Sequence, residues 1–238
     1  MDIAFGSCSL RLLPEGAAYD AARRVLYVSD LHLGKAAVFR DAGLALPEGP
    51  DASILERLGL LVAQTGAAVL AVLGDVFHAR SPGTEGAVNS LAAWRAARPG
   101  LQWRVVPGNH DRRVPWSEWV PGAEILPEHA ACGPWRLAHH PPEESADLVL
   151  CGHLHPGIAL GASRVRRLRL PCFWLRRGVL ILPAFGDFTG LAMVKREPGD
   201  RVWVAAAGRV VEVPPESGAA RRSRPPANLP ARGAAEAG

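Results

Sequence analysis

A chain of 238 residues can bury one sizeable core, so one domain with a tail is expected rather than two domains. Hydrophobic residues make up 48% and charged residues 21%, and no apolar run reaches the roughly 18 residues that span a bilayer. A membrane protein is thereby excluded and a cytoplasmic one expected, while the net charge of +4 fits a polyanionic partner.

Short apolar runs followed by Gly, Pro or Asp mark buried strands at Val25 to Ser29, Ala67 to Leu73, Trp103 to Val106, Trp135 to Ala138, Leu148 to Cys151 and Val179 to Leu182. Helical stretches lie between the early ones. Asp51 to Gln64 has Ser53 and Glu56 spaced as a capping box, and Glu85 to Arg98 is Ala-rich and closes at Pro99-Gly100. The first half alternates strand and helix and the second half is mostly strand, which predicts a mixed sheet or two packed sheets with helices outside. The domain is expected over 1–213. From Pro214 the composition turns to Pro, Arg, Ala and Gly, with too few apolar residues to offset the entropy of ordering, so 214–238 is expected to be a disordered tail. Cys8, Cys132, Cys151 and Cys172 form no CxxC pair, which leaves them as free thiols.

Seven of the eight histidines fall in or beside five short blocks. These are Asp30-Leu31-His32, Gly74-Asp75-Val76-Phe77-His78, Gly108-Asn109-His110-Asp111, His139-His140 and Gly152-His153-Leu154-His155. Imidazoles, carboxylates and an amide oxygen suit divalent zinc, manganese or iron, and there are enough here for two ions. Asp30 and His32, and likewise His153 and His155, share one face of an extended segment. Asp75 follows a Gly at a strand end, and its two carboxylate oxygens make it the natural ligand to share between two cations. The blocks sit at the carboxyl ends of predicted strands, where open α/β sheets gather their sites. His139 directly follows a strand and is preferred over its neighbour His140 as a ligand.

In this order the blocks D-x-H, GD, GNHD, H and GHxH resemble the calcineurin-like metallophosphoesterase superfamily over about residues 25 to 160. The resemblance implies an αββα sandwich of two mixed sheets flanked by helices. It also implies a binuclear centre in which Asp30, His32 and His155 hold one ion, Asp75 bridges, and Asn109, His139 and His153 hold the other. Leu33 to Arg40, Leu170-Pro171-Cys172-Phe173 and Leu182 to Gly186 are similar to the bacterial DNA-ligase-associated metallophosphoesterases, a family viewed as DNA damage response endonucleases encoded beside a ligase, a helicase and a nuclease. Gly74 to His78 is also similar to a block in repair-type nucleases whose closing histidine faces the substrate phosphate, which makes His78 a candidate there.

The chemistry then expected is phosphodiester hydrolysis by a two-cation centre, manganese first, with zinc or iron as alternatives. His110 is the candidate proton donor to the leaving oxygen, with Asp111 expected to orient its ring. Arg166 and Arg167, in an Arg-rich stretch with Phe173 and Trp174, and Lys35 and Arg40 after the first block, are candidate contacts to DNA, single-stranded DNA included. A small-molecule phosphoesterase acting on cyclic nucleotides or nucleotide-linked metabolites uses the same core, and a non-catalytic scaffold is the remaining reading.

Overall fold

A computed structural model describes residues 1–5, 8–46, 49–79, 84–161 and 167–215. Two mixed sheets face one another. The first runs in chain order: β1 (Asp2–Phe5), β2 (Cys8–Leu12), β3 (Ala18–Asp20), β4 (Val25–Val28), β5 (Val69–Leu73), β6 (Gln102–Val106) and β7 (Glu124–Ile125). Strands β1 to β4 are antiparallel and need only short turns, whereas β4 to β7 are parallel. Parallel neighbours need crossovers, and helices supply two of them: α1 (Lys35–Asp41) and α2 (Pro50–Thr65) before β5, and α3 (Glu85–Ala96) before β6. A single turn, α4 (Trp116–Trp119), precedes β7.

The continuous apolar runs of β4 and β5 reflect burial on both faces. Leu26, Val28, Leu70 and Val72 pack with Leu58 of α2 and Leu91 of α3. Tyr27, Ala71 and Leu73 turn the other way, onto Trp135, Phe173 and Trp203 of the second sheet. Each fully buried side chain of this size removes about 1.5–3 kcal/mol of apolar exposure.

The second sheet is built from β8 (Ala130–Cys132), β9 (Trp135–Leu137), β10 (Leu148–Cys151), β11 (Pro156–Leu160), β12 (Leu168–Arg176), β13 (Val179–Ile181) and β14 (Ala192–Met193). Its order is β14-β11-β12-β13-β10-β9-β8, and β15 (Arg201–Ala206) joins β12 and carries β16 (Arg209–Val213) at its edge. Two mixed sheets packed face to face, with helices against the first, are the α/β sandwich that the resemblance implies. Strands β9, β10 and β13 are parallel, so their carboxyl ends share one edge.

Two local expectations are corrected. Ser53 and Glu56 form no capping box: α2 begins at Pro50, whose ring presets the helical φ, after a left-handed Gly49, and no side chain caps it. Helix α3 stops at Ala96, short of Arg98, whose guanidinium folds back onto the Trp94 carbonyl and ring. Cys132, Cys151 and Cys172 are buried, and none of the four cysteines is in a disulfide. The expected tail from residue 216 onward, and Arg166, lie outside the described residues.

Candidate metal centre

Each ligand block starts where a strand stops. Asp30 follows β4, Asp75 follows β5, Asn109 follows β6, His139 follows β9, and His153 and His155 follow β10. Asp30, His32, Asp75, His153 and His155 all have positive φ, between 47° and 71°. Left-handed backbone is rare in residues that carry a β-carbon and persists where the surroundings impose it. Here the first two turns are tied together: Asp30 N–H donates to the Gly74 carbonyl at 3.0 Å, His32 to that of Asp75 at 2.9 Å, and Leu33 to that of Val76 at 2.9 Å.

The motif glycines are needed for clearance. A β-carbon on Gly74 would stand 1.9 Å from Nδ1 of His139, one on Gly108 would stand 2.1 Å from Oδ1 of Asp75, and one on Gly152 would stand 2.5 Å from Oδ2 of Asp30. Each glycine therefore makes room for a ligand that belongs to a different block.

The donor atoms converge in two groups that share one carboxylate. In the first, Nε2 of His32 and Nε2 of His155 are 3.4 Å apart, and Oδ1 of Asp30 lies 3.4 Å from the latter. In the second, Nε2 of His139 is 3.1 Å from both Oδ1 of Asn109 and Nδ1 of His153. Oδ2 of Asp75 stands between them, 3.8 Å from Nε2 of His32 and 3.7 Å from Nε2 of His139. Ligand atoms bound to one small cation at about 2.0–2.2 Å are about 3.1–3.6 Å apart, so these spacings fit divalent ions.

Protonation fits as well. Nδ1–H of His139 donates to the Leu73 carbonyl at 3.0 Å, which leaves Nε2 as the lone pair facing the site. Burial, then Lys35 and the neighbouring imidazoles, push His32 down to about 2, so its ring is neutral and able to ligate. Burial, helped by His139 and His140, also lowers His153. Asp30, His32, Asp75 and His139 are buried, as expected of groups that act together rather than as surface charges.

His110 sits at the mouth, exposed, with its N–H donating to Oδ1 of Asp75 at 2.9 Å. Its ring is oriented by a backbone carbonyl, that of His78, and here the expected role of Asp111 is corrected. Asp111 is buried, and its carboxylate accepts the backbone N–H groups of Gly108, Val76 and Phe77 at 3.0 to 3.2 Å. Burial raises it to about 6 against those bonds. Its work is to tie the Asp75 loop to the Asn109 loop. His78 stacks on His110, and burial, then Lys35 and His110, lower it to about 4.

His139 and His140 differ in burial, although a ring nitrogen of each lies within 4.8 Å of the other and of His153. His139 is fully buried among the donors, whereas His140 is exposed and its Nδ1 lies 2.9 Å from Glu128. Glu128 also accepts the N–H groups of His139 and His140, at 2.9 and 3.4 Å. Sequence reasoning missed it, because no motif surrounds it and only the fold brings it to β9.

Lys35 begins α1, and burial lowers its amine against the attraction of Asp75 and Asp30, which places it within the electrostatic reach of the centre. Arg40, in the last turn of α1, interacts with Asp51. Arg167 is exposed at the far end of the β11–β12 hairpin, beyond the Leu160–Leu168 pair, about 20 Å along the strand from His155. The structure thus does not bring it to the metal donors.

The Leu182 to Gly186 stretch gains a physical meaning. Phe185 N–H donates to the Ser29 carbonyl at 2.9 Å and Gly186 N–H to that of Asp30 at 3.0 Å, so this segment props the first ligand turn from outside. Arg57 of α2 holds it there: its guanidinium bonds the Phe185 carbonyl, lies 4.6 Å over the Phe185 ring and pairs with Asp187 at 3.4 Å.

Comparison with known proteins places this geometry. The calcineurin-like phosphoesterase family model matches residues 23–157, a span that contains every donor named above. The nuclease MPE of Pseudomonas putida is 33% identical and superposes with a TM-score of 0.77 over 90% of this chain and 99% of that one. Weaker likenesses are Yfce, a phosphoesterase from E. coli (15% identity, TM-score 0.42, 79% of this chain and 97% of that one), and AQ665 of Aquifex aeolicus, of unknown function (19%, 0.39, 55% and 78%). A comparison with curated proteins gives no match. Donor atoms from five strand ends, meeting inside the matched span, make this chain a member of the calcineurin-like phosphoesterase family and a metal-dependent phosphoesterase.

Proposed function

We propose that the protein is a binuclear phosphodiesterase acting on DNA, an endonuclease that serves repair in the cytoplasm in association with a DNA ligase, a helicase and a nuclease. The observation that carries the binuclear part is the position of Asp75, whose Oδ2 lies 3.8 Å from Nε2 of His32 and 3.7 Å from Nε2 of His139. Similarity to a nuclease over nearly its whole length favours a nucleic acid over a small nucleotide. Asp30, His32 and His155 would hold one cation and Asn109, His139 and His153 the other; manganese is the proposed ion, and zinc and iron also accept mixed nitrogen and oxygen donors.

When bound, such cations acidify an attacking water and offset charge on the phosphate oxygens. The chain's own residues supply the rest. Nδ1 of His110 keeps its proton on the His78 carbonyl, so Nε2 is the nitrogen that exchanges a proton with the leaving oxygen. Lys35 adds positive charge beside the carboxylates and so reduces their repulsion of an incoming phosphate.

The test is hydrolysis of circular single-stranded, duplex and nicked DNA, against bis-p-nitrophenyl phosphate and cyclic nucleotides, with manganese, magnesium and zinc. Internal cleavage of a circle is expected. Turnover of cyclic nucleotides without any cleavage of DNA refutes the reading.

A further inference from the structure

The segment that props the first ligand turn continues into an aromatic residue that the reaction above does not use. Phe188 is 46% exposed, makes no ring contact among the described residues, and has a φ of +58°. A bulky side chain in left-handed backbone is costly, and an exposed phenyl ring adds a second cost. No ring contact among the described residues offsets either cost.

The loop around it is held at both ends by first-group ligand turns. Gly186 N–H is bonded to the Asp30 carbonyl at 3.0 Å, and Ala192 N–H to the His155 carbonyl at 3.0 Å. Between them, Asp187 pairs with Arg57, and the Thr189 hydroxyl donates to the Gly186 carbonyl at 3.4 Å. Phe188 is two residues from Gly186, so its Cα is at most about 7.6 Å away from it. Phe188 therefore lies in a loop whose two ends are bonded to the turns that carry Asp30 and His155.

We propose that Phe188 forms a base-binding subsite, in which its ring stacks on the nucleobase next to the scissile phosphate. This rests on the phosphodiesterase reading above. Stacking suits a half-exposed ring, because every base has a π surface and the contact tolerates any sequence. A rigid loop lowers the entropy lost on contact, which gives the strained conformation a use.

The experiment compares two esters with the same leaving group, thymidine 5′-(p-nitrophenyl phosphate) and methyl p-nitrophenyl phosphate, on the full chain with added manganese. The wild type is expected to prefer the thymidine ester in kcat/KM. Phe188→Ala is expected to reduce that preference about five-fold or more, chiefly through KM, and Phe188→Trp to keep it. Phe188→Gly, which accepts the left-handed backbone without strain, is expected to lose the preference while melting no lower than the wild type. A wild type without preference, an unchanged preference in Phe188→Ala, or an equal loss on both esters overturns the subsite. Failure of the underlying reading shows separately, as a wild type that hydrolyses neither ester.

Discussion

Nδ1–H of His110 donates to the backbone carbonyl of His78 at 2.6 Å, and the two rings stack with centroids 4.9 Å apart. A carbonyl cannot take up the proton, so it fixes one tautomer and leaves Nε2 to do the chemistry. His110→Asn is expected to keep both metals and to lose about 100-fold or more in cleavage of DNA, whose leaving alkoxide needs a proton. Hydrolysis of a p-nitrophenyl ester, with its good leaving group, should fall much less. Elemental analysis and the two rates together check this, and equal losses on both substrates would remove the assignment.

Asp111 receives three backbone N–H groups from two loops. Asp111→Ala leaves all three buried without a partner, at about 1–3 kcal/mol each, so the metal-free protein should lose about 3–9 kcal/mol in urea unfolding. Asp111→Asn keeps an acceptor oxygen and should lose less than half of that. A midpoint unchanged in the alanine variant would show that the loops find other acceptors.

Gly74→Ala should act on a ligand it is far from in sequence. The new β-carbon falls on the His139 ring and must also adopt a φ of +87°. Metal content is expected to drop from two ions per chain toward one, with the first group retained. Two ions bound with unchanged affinity would show that His139 is not required for the second site.

Arg57 touches no donor, yet it clamps the segment under Asp30. Partners that orient ligands typically contribute 10- to 100-fold to metal affinity. Arg57→Ala should weaken the first ion about ten-fold by titration. Arg57→Lys should not restore it, since an ammonium lacks the planar fork that serves Phe185 and Asp187 together.

Bound cations should also stabilise the fold. At a free concentration 100-fold above its dissociation constant, one ion adds about 2.7 kcal/mol, which in a domain of this size raises Tm by about 5–10 °C. Melting after chelation and again after adding manganese measures it. The left-handed turns at Asp30, His32, Asp75, His153 and His155 should be the first to open in the chelated form, as faster hydrogen exchange at their amides.

What the sequence made legible was what lies at strand ends. Val69 to Leu73 and Leu148 to Cys151 announce themselves by apolar continuity, and the residue after each is a ligand block. The partners of these blocks were not legible. Asp111 looked like a partner for His110 because they adjoin, whereas its real partners include Val76 and Phe77, some 35 residues away. Glu128 and Arg57 stand in unremarkable surroundings and acquire their roles only through contacts across the fold. The Ser53–Glu56 pattern was outvoted by Pro50, which determines where α2 begins more strongly than a side-chain cap.

The glycine clearances have a consequence for assembly. Gly74 lies on the first sheet and admits His139 from the second, while Gly152 lies on the second and admits Asp30 from the first. Neither sheet can present a finished half of the centre alone, so the two interlock like the wards of a lock. Metal affinity then gauges how well the sheets are seated. Damage in the layer between them, at Phe173 or Trp203, will register at the ions before it registers as loss of the fold.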